Sequence, residues 1–322
     1  MSIRSPLLIS LLAGLAVVVA AEGLVRSLVP FLPRPISWYS QEAQVKADDI
    51  AAMARAGVSP DVLFIGSSTV RAAFDPQVFV EQAGCPIVAY NAGLTGLRPR
   101  ALEHWVGWTL ARIAPRQVVI GITTAELRAE GSDAFWGRYS AAAAAREDLG
   151  TRLTRRIETQ STLLRYRGVL RNPIYLRPAV DQLMGRPAFM PWENFTAGYR
   201  PPGSQAFTMG QFDLREATIS EREIAARVRA MEIIGNSGAH LVVVNMPVPP
   251  EYTVRHVGGA AGYRAIVAAS MDRARELGAE VIDLGAMGDA RLFEDPLHVN
   301  NEGSRMATIL VAAQLDLCGK AR

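Results

Sequence analysis

Short, wholly apolar runs alternate along this chain with longer stretches of helical periodicity. Asp61-Val-Leu-Phe-Ile65, Pro86-Ile-Val-Ala-Tyr90, Gln117-Val-Val-Ile-Gly-Ile122, His240-Leu-Val-Val-Val-Asn245 and Glu280-Val-Ile-Asp-Leu284 lack the polar alternation of a half-exposed strand. Such runs, bounded by Gly, Pro or charge, predict strands buried on both faces. Helical patterns fill the gaps. One covers 75–82 behind an Asp75 cap, and one covers 99–113 with Pro99 in its first turn; others cover 220–237, 262–277 and 301–317. Five apolar strands alternating with helices predict an α/β three-layer sandwich with a five-stranded parallel sheet. Ligands of such sheets bind at the carboxyl ends of the strands. Gly66, the run Asn91–Gly96, Thr123 and Met246 all fall at strand ends, where they could line one crevice.

The alternation fails twice. From Thr123 to about residue 215 no strand–helix rhythm is present, although Trp136, Tyr139, Tyr166, Tyr175, Trp192, Phe195 and Tyr199 fall there among Arg and Pro. A long irregular insertion of this kind is either functional, a lid for example, or a packed excursion over the core. At the other end, Arg4 precedes an uncharged stretch from Leu7 to Ala21. A basic flank before such a run suits a signal-peptide h-region or a short membrane anchor; the favoured reading is an uncleaved transmembrane anchor over 1–27, with Arg4 cytoplasmic and the rest outside. Residues 28–60 read as a juxtamembrane linker with a helical patch at 41–56, and 61–322 as the main domain.

The 322 residues carry a formal net charge of only +3, with Arg scattered rather than blocked. Nucleic-acid binding is therefore not favoured; a mildly basic face toward an anionic polymer or lipid headgroups stays open. The two cysteines, Cys85 and Cys318, have no metal-ligand spacing. Two free thiols is the simpler expectation, and a bond between them would require an oxidising compartment.

The candidate chemistry lies at opposite ends of the main domain. Ser68 follows the first buried strand and opens a helix, which gives its N–H and hydroxyl a place in the crevice; Ser67, one residue nearer the strand, is the competing nucleophile. A serine here could also be only a helix cap. Asp295-Pro-Leu-His298 puts a carboxylate and an imidazole on one short loop, able to orient and supply a general base. His104 falls within a helical run and His240 starts a strand, so both read better as structural; His256, in a loop beside Arg255, is a weaker candidate than His298. Oxyanion donors would come from the Ser68 N–H and the Gly93 N–H. No G-x-S-x-G elbow, metal constellation, G-x-G-x-x-G or P-loop is present, and no cofactor is expected.

These residues resemble the SGNH (GDSL-type) hydrolase superfamily over about 61–122 and 240–317. Phe64-Ile65-Gly66-Ser67-Ser68 matches its Gly-Asp-Ser block with Ser67 in place of Asp. Asn91-Ala92-Gly93 matches the block that carries the oxyanion glycine, and Asp295-Pro-Leu-His298 matches the last block. The third block departs: Gly121-Ile-Thr-Thr lacks the usual Asn donor, leaving Thr123 or Thr124 to substitute. The resemblance implies a flavodoxin-like SGNH fold with Ser68, His298 and Asp295 catalytic.

The Gly-Ser-Ser-x-x-Arg form behind an anchor is similar to membrane-anchored extracytoplasmic SGNH proteins of teichoic acid D-alanylation and alginate acetylation. That implies a single-pass protein of the cell (inner) membrane with a periplasmic domain. Its activity would be an O-acyltransferase, acetyl foremost, acting on a surface or secreted glycan beside a membrane-bound O-acyltransferase partner. Arg71 would orient a substrate or pair with a carboxylate, and Asn91 would contact substrate. The alternatives are a membrane-anchored carbohydrate esterase or deacylase, and a non-catalytic scaffold or glycan-binding subunit.

Overall fold

A computed structural model describes residues 4–32, 41–129, 156–157, 160–171, 180, 184–185, 214–315 and 317–318. The chain divides into two compact units: 1–44 with 144–191, and 45–143 with 192–322.

In the first unit, helix α1 (Arg4–Leu28) contains a 21-residue stretch of mean hydropathy 2.4, long and apolar enough to cross a membrane. Its Leu and Val side chains are largely exposed from Leu8 to Leu24. Glu22 interrupts that apolar surface, and its carboxylate accepts from Ser161 Oγ, Thr162 N and Leu163 N at 2.9, 2.7 and 2.9 Å. It thereby caps the short helix α2 (Thr162–Arg165) from a distant part of the chain, and α3 (Arg167–Leu170) follows directly. Val25 packs with Tyr166 and Val169 in a small apolar cluster. Most of the insertion expected at 123–215 lies outside the described residues, including the aromatic positions other than Tyr166.

The second unit is built on a five-stranded parallel sheet: β1 (Val62–Ile65), β2 (Ala89–Asn91), β3 (Gln117–Ile122), β4 (His240–Asn245) and β5 (Glu280–Asp283). The order β2-β1-β3-β4-β5 is the flavodoxin-like one, in which the strand order, not the strand direction, reverses between β1 and β3. Helices cover both faces, as the continuous apolar strands require. Helices α4 (Ser68–Ala73), α5 (Pro76–Ala83) and α6 (Asn301–Gln314) share a core with Val62, Phe64, Val119, Val242 and Ile282. There Phe64 stacks on Phe74 at 4.7 Å and meets Phe79 edge-on at 5.0 Å between centroids. Each such ring removed from water contributes ~1.5–3 kcal/mol. Helices α7 (Pro99–Leu110), α8 (Glu221–Asn236) and α9 (Gly259–Glu276) belong to the same unit; α8 packs against α7, β4 and α9.

Two expectations change. The stretch expected as a linker at 28–60 holds helix α10 (Gln41–Arg55), whose residues 45–55 belong to the second unit, so that unit starts well before Asp61. Ile50 is fully buried in it, and Lys46, also fully buried, donates from Nζ to the Asn91 carbonyl at 2.7 Å. The helix itself was expected at 41–56; its high polar content hid only that it packs into the second unit. Cys85 and Cys318 form a disulfide across 233 residues rather than standing as free thiols, because the end of α5 and the chain beyond α6 bring their Cα atoms to 6.0 Å.

Candidate active site

The site begins where β1 ends. Gly66, just after β1, and Gly121, in the neighbouring β3, both face Val70 of α4, and a methyl added at either would overlap its Cγ2. Glycine at these positions lets the first turn of α4 sit directly on the strand ends. The two serines divide the work there. Ser67 is the N-cap: its Oγ accepts from Thr69 N at 3.3 Å and pairs with Thr69 Oγ1 at 3.0 Å. Ser68 is the first residue of the helix, half-buried, with its hydroxyl directed elsewhere. Its N–H belongs to the first turn and has no partner within the helix.

The partner of Ser68 comes from the other end of the unit. The loop before α6 is closed by a bridge between Phe293 and Val299, by Glu294 N donating to His298 O at 2.9 Å, and by Asn300 capping α6 through Gly303 N at 3.0 Å. Within that loop Asp295 Oδ1 accepts from Leu297 N and His298 N, both at 2.8 Å. Its Oδ2 lies 2.7 Å from His298 Nδ1, and His298 Nε2 lies 2.8 Å from Ser68 Oγ. Burial pushes the Asp295 carboxyl up, but the hydrogen bond and charge of His298, with the two loop N–H groups, outweigh it and hold the pKa below its ordinary value. An ionised Asp295 only accepts, so Nδ1 carries the imidazole proton and Nε2 is left to take the proton of Ser68. Ser68, His298 and Asp295 thus form one continuous proton path, which can deprotonate a serine nucleophile and stabilise the resulting imidazolium.

The surrounding residues depart from expectation. Asn91 is buried and fully engaged: its Nδ2 donates to Phe74 O at 2.7 Å and to Val70 O at 3.2 Å, closing the end of α4. Its Oδ1 accepts the Gly93 N–H at 2.9 Å. Asn91 is therefore a strap between β2 and α4 rather than a substrate contact, and the Gly93 N–H is spent on that strap rather than presented as an oxyanion donor. Gly93 is needed for close approach instead, since a Cβ would come within 2.7 Å of Arg71 N. Of the two threonines after β3, Thr124 is buried with Oγ1 3.0 Å from Tyr252 OH. Thr123 is also buried, with its hydroxyl beside Glu126. Met246 packs against Gly121 instead of lining a crevice. Arg71 is half-buried in the same turn of α4. His240 pairs with Glu280 at 2.9 Å on the surface and His256 is enclosed by Tyr252 and Tyr263, consistent with structural roles for both.

Two features escaped sequence reading. Buried Glu126 and buried Arg227 form an ion pair at 3.1 Å next to Thr123. At the ends of β4 and β5 a cavity of about 560 Å³ is lined by Asn245, Tyr263, Arg264 and Asp283 among others. The first could have been suspected from an Arg on the apolar face of α8, at Ala226-Arg227 with Ala230, Met231 and Ile234. Nothing in the local pattern marks the second. Among the described residues no three His, Cys, Asp or Glu come together as metal ligands.

Parallel sheet, helices on both faces and a hydrogen-bonded Ser-His-Asp arrangement at the carboxyl edge define the site of this α/β protein. No protein-family model and no curated protein matches the chain. Among solved structures it is similar to a protein described as a platelet activating factor from Streptococcus pneumonia, at 11% identity and a TM-score of 0.43 over 85% of this chain and 92% of that one. It is also similar to a candidate acylhydrolase from Bacteroides fragilis, at 12% identity and 0.43 over 86% and 96%. A third similar structure is a GDSL-like lipase from Bacteroides thetaiotaomicron, at 12% and 0.41 over 85% and 98%.

Proposed function

We propose that this chain is a serine-dependent acyl-transfer enzyme that loads an acyl group on Ser68 and passes it to a hydroxyl of a surface or secreted glycan. The observation that carries the reading is the unbroken path from Ser68 Oγ to His298 Nε2 at 2.8 Å and from His298 Nδ1 to Asp295 Oδ2 at 2.7 Å. In the first half-reaction Ser68 Oγ attacks the acyl carbonyl carbon while His298 Nε2 takes its proton. The tetrahedral intermediate collapses, the bond to the donor oxygen breaks, and His298 returns the proton to the leaving group. In the second half an acceptor hydroxyl attacks the acyl-Ser68 ester by the same route and Ser68 regains its proton.

Transfer is favoured over hydrolysis by the apolar helix α1, which would hold the chain at a membrane surface next to a multi-spanning acyl exporter. The Cys85–Cys318 bond suits an oxidising, extracytoplasmic location. Arg71, one turn from Ser68, would orient an anionic or hydroxylated group. Water as acceptor, an esterase, is the second reading, and the complete triad favours it equally.

The test is made in cells and with the detergent-solubilised full chain. Ser68→Ala and His298→Ala are expected to abolish ester-linked acyl groups on the surface glycan while the protein still accumulates. Normal acylation in the Ser68→Ala strain would overturn the reading. A chromogenic acetyl ester turned over slowly, and faster with added glycan, supports transfer; fast turnover into water assigns the esterase.

A further inference from the structure

The cavity of about 560 Å³ at the ends of β4 and β5 is lined by none of Ser68, His298 and Asp295. Its volume lies in the ~300–1,000 Å³ range of small-molecule sites. The strands are parallel, so it opens at the same carboxyl edge as the nucleophile. In the order β2-β1-β3-β4-β5 its two strands lie two and three places from β1. At ~4.8 Å per place, that is ~10–15 Å across the edge from the turn that bears Ser68.

The polar groups of the cavity are few and placed by their neighbours. Asp283, the last residue of β5, accepts on Oδ1 from Asn245 Nδ2 at 2.7 Å and from Gly285 N at 2.8 Å. Those two bonds fix the carboxylate, and they leave Oδ2 without a hydrogen bond among the described residues. Tyr263 of α9 is buried, its ring edge-on to Tyr252 and His256 at 6.0 and 5.7 Å between centroids. Its hydroxyl makes no hydrogen bond among the described residues. Burial and the Asp283 charge push that phenol up, so it keeps a proton to donate. Arg264, the next residue, is exposed at the rim and has no ion pair among the described residues, whereas Arg275 is taken by Asp272 at 2.6 Å. Buried Val248, Val267 and Met271 supply an apolar wall.

This set disfavours a ligand of a single charge, because an anion meets Asp283 and a cation meets Arg264. A neutral ring bearing hydroxyls uses all of it. Hydroxyls both donate and accept, so neighbouring ones can serve Asp283 Oδ2 and the Arg264 guanidinium together, with the Tyr263 hydroxyl as a third partner. The C–H face of such a ring covers the apolar wall.

We propose that this cavity is a saccharide subsite, which grips a neutral hexopyranose unit of the acceptor glycan away from the hydroxyl that reacts. The inference deepens the glycan reading of the acceptor and rests on it. A polymer held there lies along the carboxyl edge, so that binding remote from Ser68 helps to bring an acceptor hydroxyl to the acyl ester.

The experiment is calorimetric titration of the detergent-solubilised full chain carrying Ser68→Ala, in which no acyl group can be loaded, with cellotetraose, mannotetraose and chitotetraose. Saturable binding of at least one is expected. Tyr263→Phe, which removes only the hydroxyl, is expected to weaken it about 3- to 10-fold, and Arg264→Ala, at an exposed and unpaired position, about 10-fold or more, both with Tm kept. Binding of none of the three overturns the proposal, as does an unchanged affinity in folded Tyr263→Phe and Arg264→Ala. Glycine, whose ammonium and carboxylate could span Asp283 and Arg264, is the competing probe, and saturable binding of glycine alone also overturns it. Fluorophosphonate labelling of the wild-type chain reads the nucleophile separately. Labelling without oligosaccharide binding overturns the subsite and leaves Ser68 standing; oligosaccharide binding without labelling supports the subsite and refutes Ser68.

Discussion

Replacing Asp295 by Asn tests the proton path with almost no change of shape. In the native loop Oδ1 accepts two backbone N–H groups at 2.8 Å while Oδ2 faces His298 Nδ1 at 2.7 Å. An Asn side chain can satisfy only one of these demands. If its oxygen keeps the two loop N–H groups, its NH2 faces Nδ1. The imidazole must then carry its proton on Nε2, pointing N–H at Ser68 Oγ with no base to offer. If the amide rotates to restore the productive tautomer, its NH2 faces two backbone donors. Two buried N–H groups left without acceptors cost ~1–3 kcal/mol each, or ~2–6 kcal/mol together. At 1.36 kcal/mol per decade that is a loss of roughly 30-fold to 10⁴-fold, before the lost stabilisation of the imidazolium is added. The fold should tolerate the change, because the first arrangement keeps the loop bonds intact. The assay is turnover of a chromogenic acetyl ester by the detergent-solubilised full chain, with Tm measured on the same samples. An Asp295→Asn enzyme within about fivefold of wild type would refute the assigned tautomer and the role of Asp295.

Two further outcomes test the frame around the site. Asn91→Ala opens the bonds to Phe74 O, Val70 O and Gly93 N, and an expected loss of ~2–4 kcal/mol from buried groups left unpaired is read by denaturant unfolding; a change below ~1 kcal/mol would mean that the strap is not made. Cys85→Ala is expected to cost ~2–5 kcal/mol, and the wild type should show a Tm that falls on reduction; two titratable thiols in the unreduced wild-type protein would contradict the pairing.

What the sequence reveals depends on how strictly the physics constrains it. The runs 117–122 and 240–245 coincide with β3 and β4 at both ends, because a strand buried on both faces and bounded by polar residues has no slack. The expected strand 86–90 is instead β2 at 89–91, since Val88 uses its carbonyl on Asp61 N and Val62 N just before the ladder and stays half exposed. The helix expected from 262 starts at Gly259: Gly258 takes a left-handed conformation, φ 69°, at the cap, and a run of glycines hides the helix start from any propensity argument. Polar packing is hidden more deeply. Lys46, Glu126 and Arg227 are ordinary surface residue types, and only tertiary pairing makes them core. No periodicity records which buried charge will find its partner.

The same distinction explains why the triad was legible and the oxyanion donors were not. Asp295 and His298 lie on one short loop, so their spacing alone brings them together. Gly93 needed knowledge of what Asn91 does with its side chain. A glycine-bearing turn after a strand looks like a cradle of free N–H groups until a neighbouring amide oxygen, 2.9 Å away, is found to have taken the donor. The pair Ser67–Ser68 could be read either way from sequence, because both residues can cap and both can attack. Capping decides it. Ser67 Oγ is held by Thr69 N and Thr69 Oγ1, and Ser68 is the hydroxyl of the two that meets His298. Serine in place of a longer residue at 67 thus has a local cause: it closes the helix end within its own turn and leaves the next side chain free for chemistry.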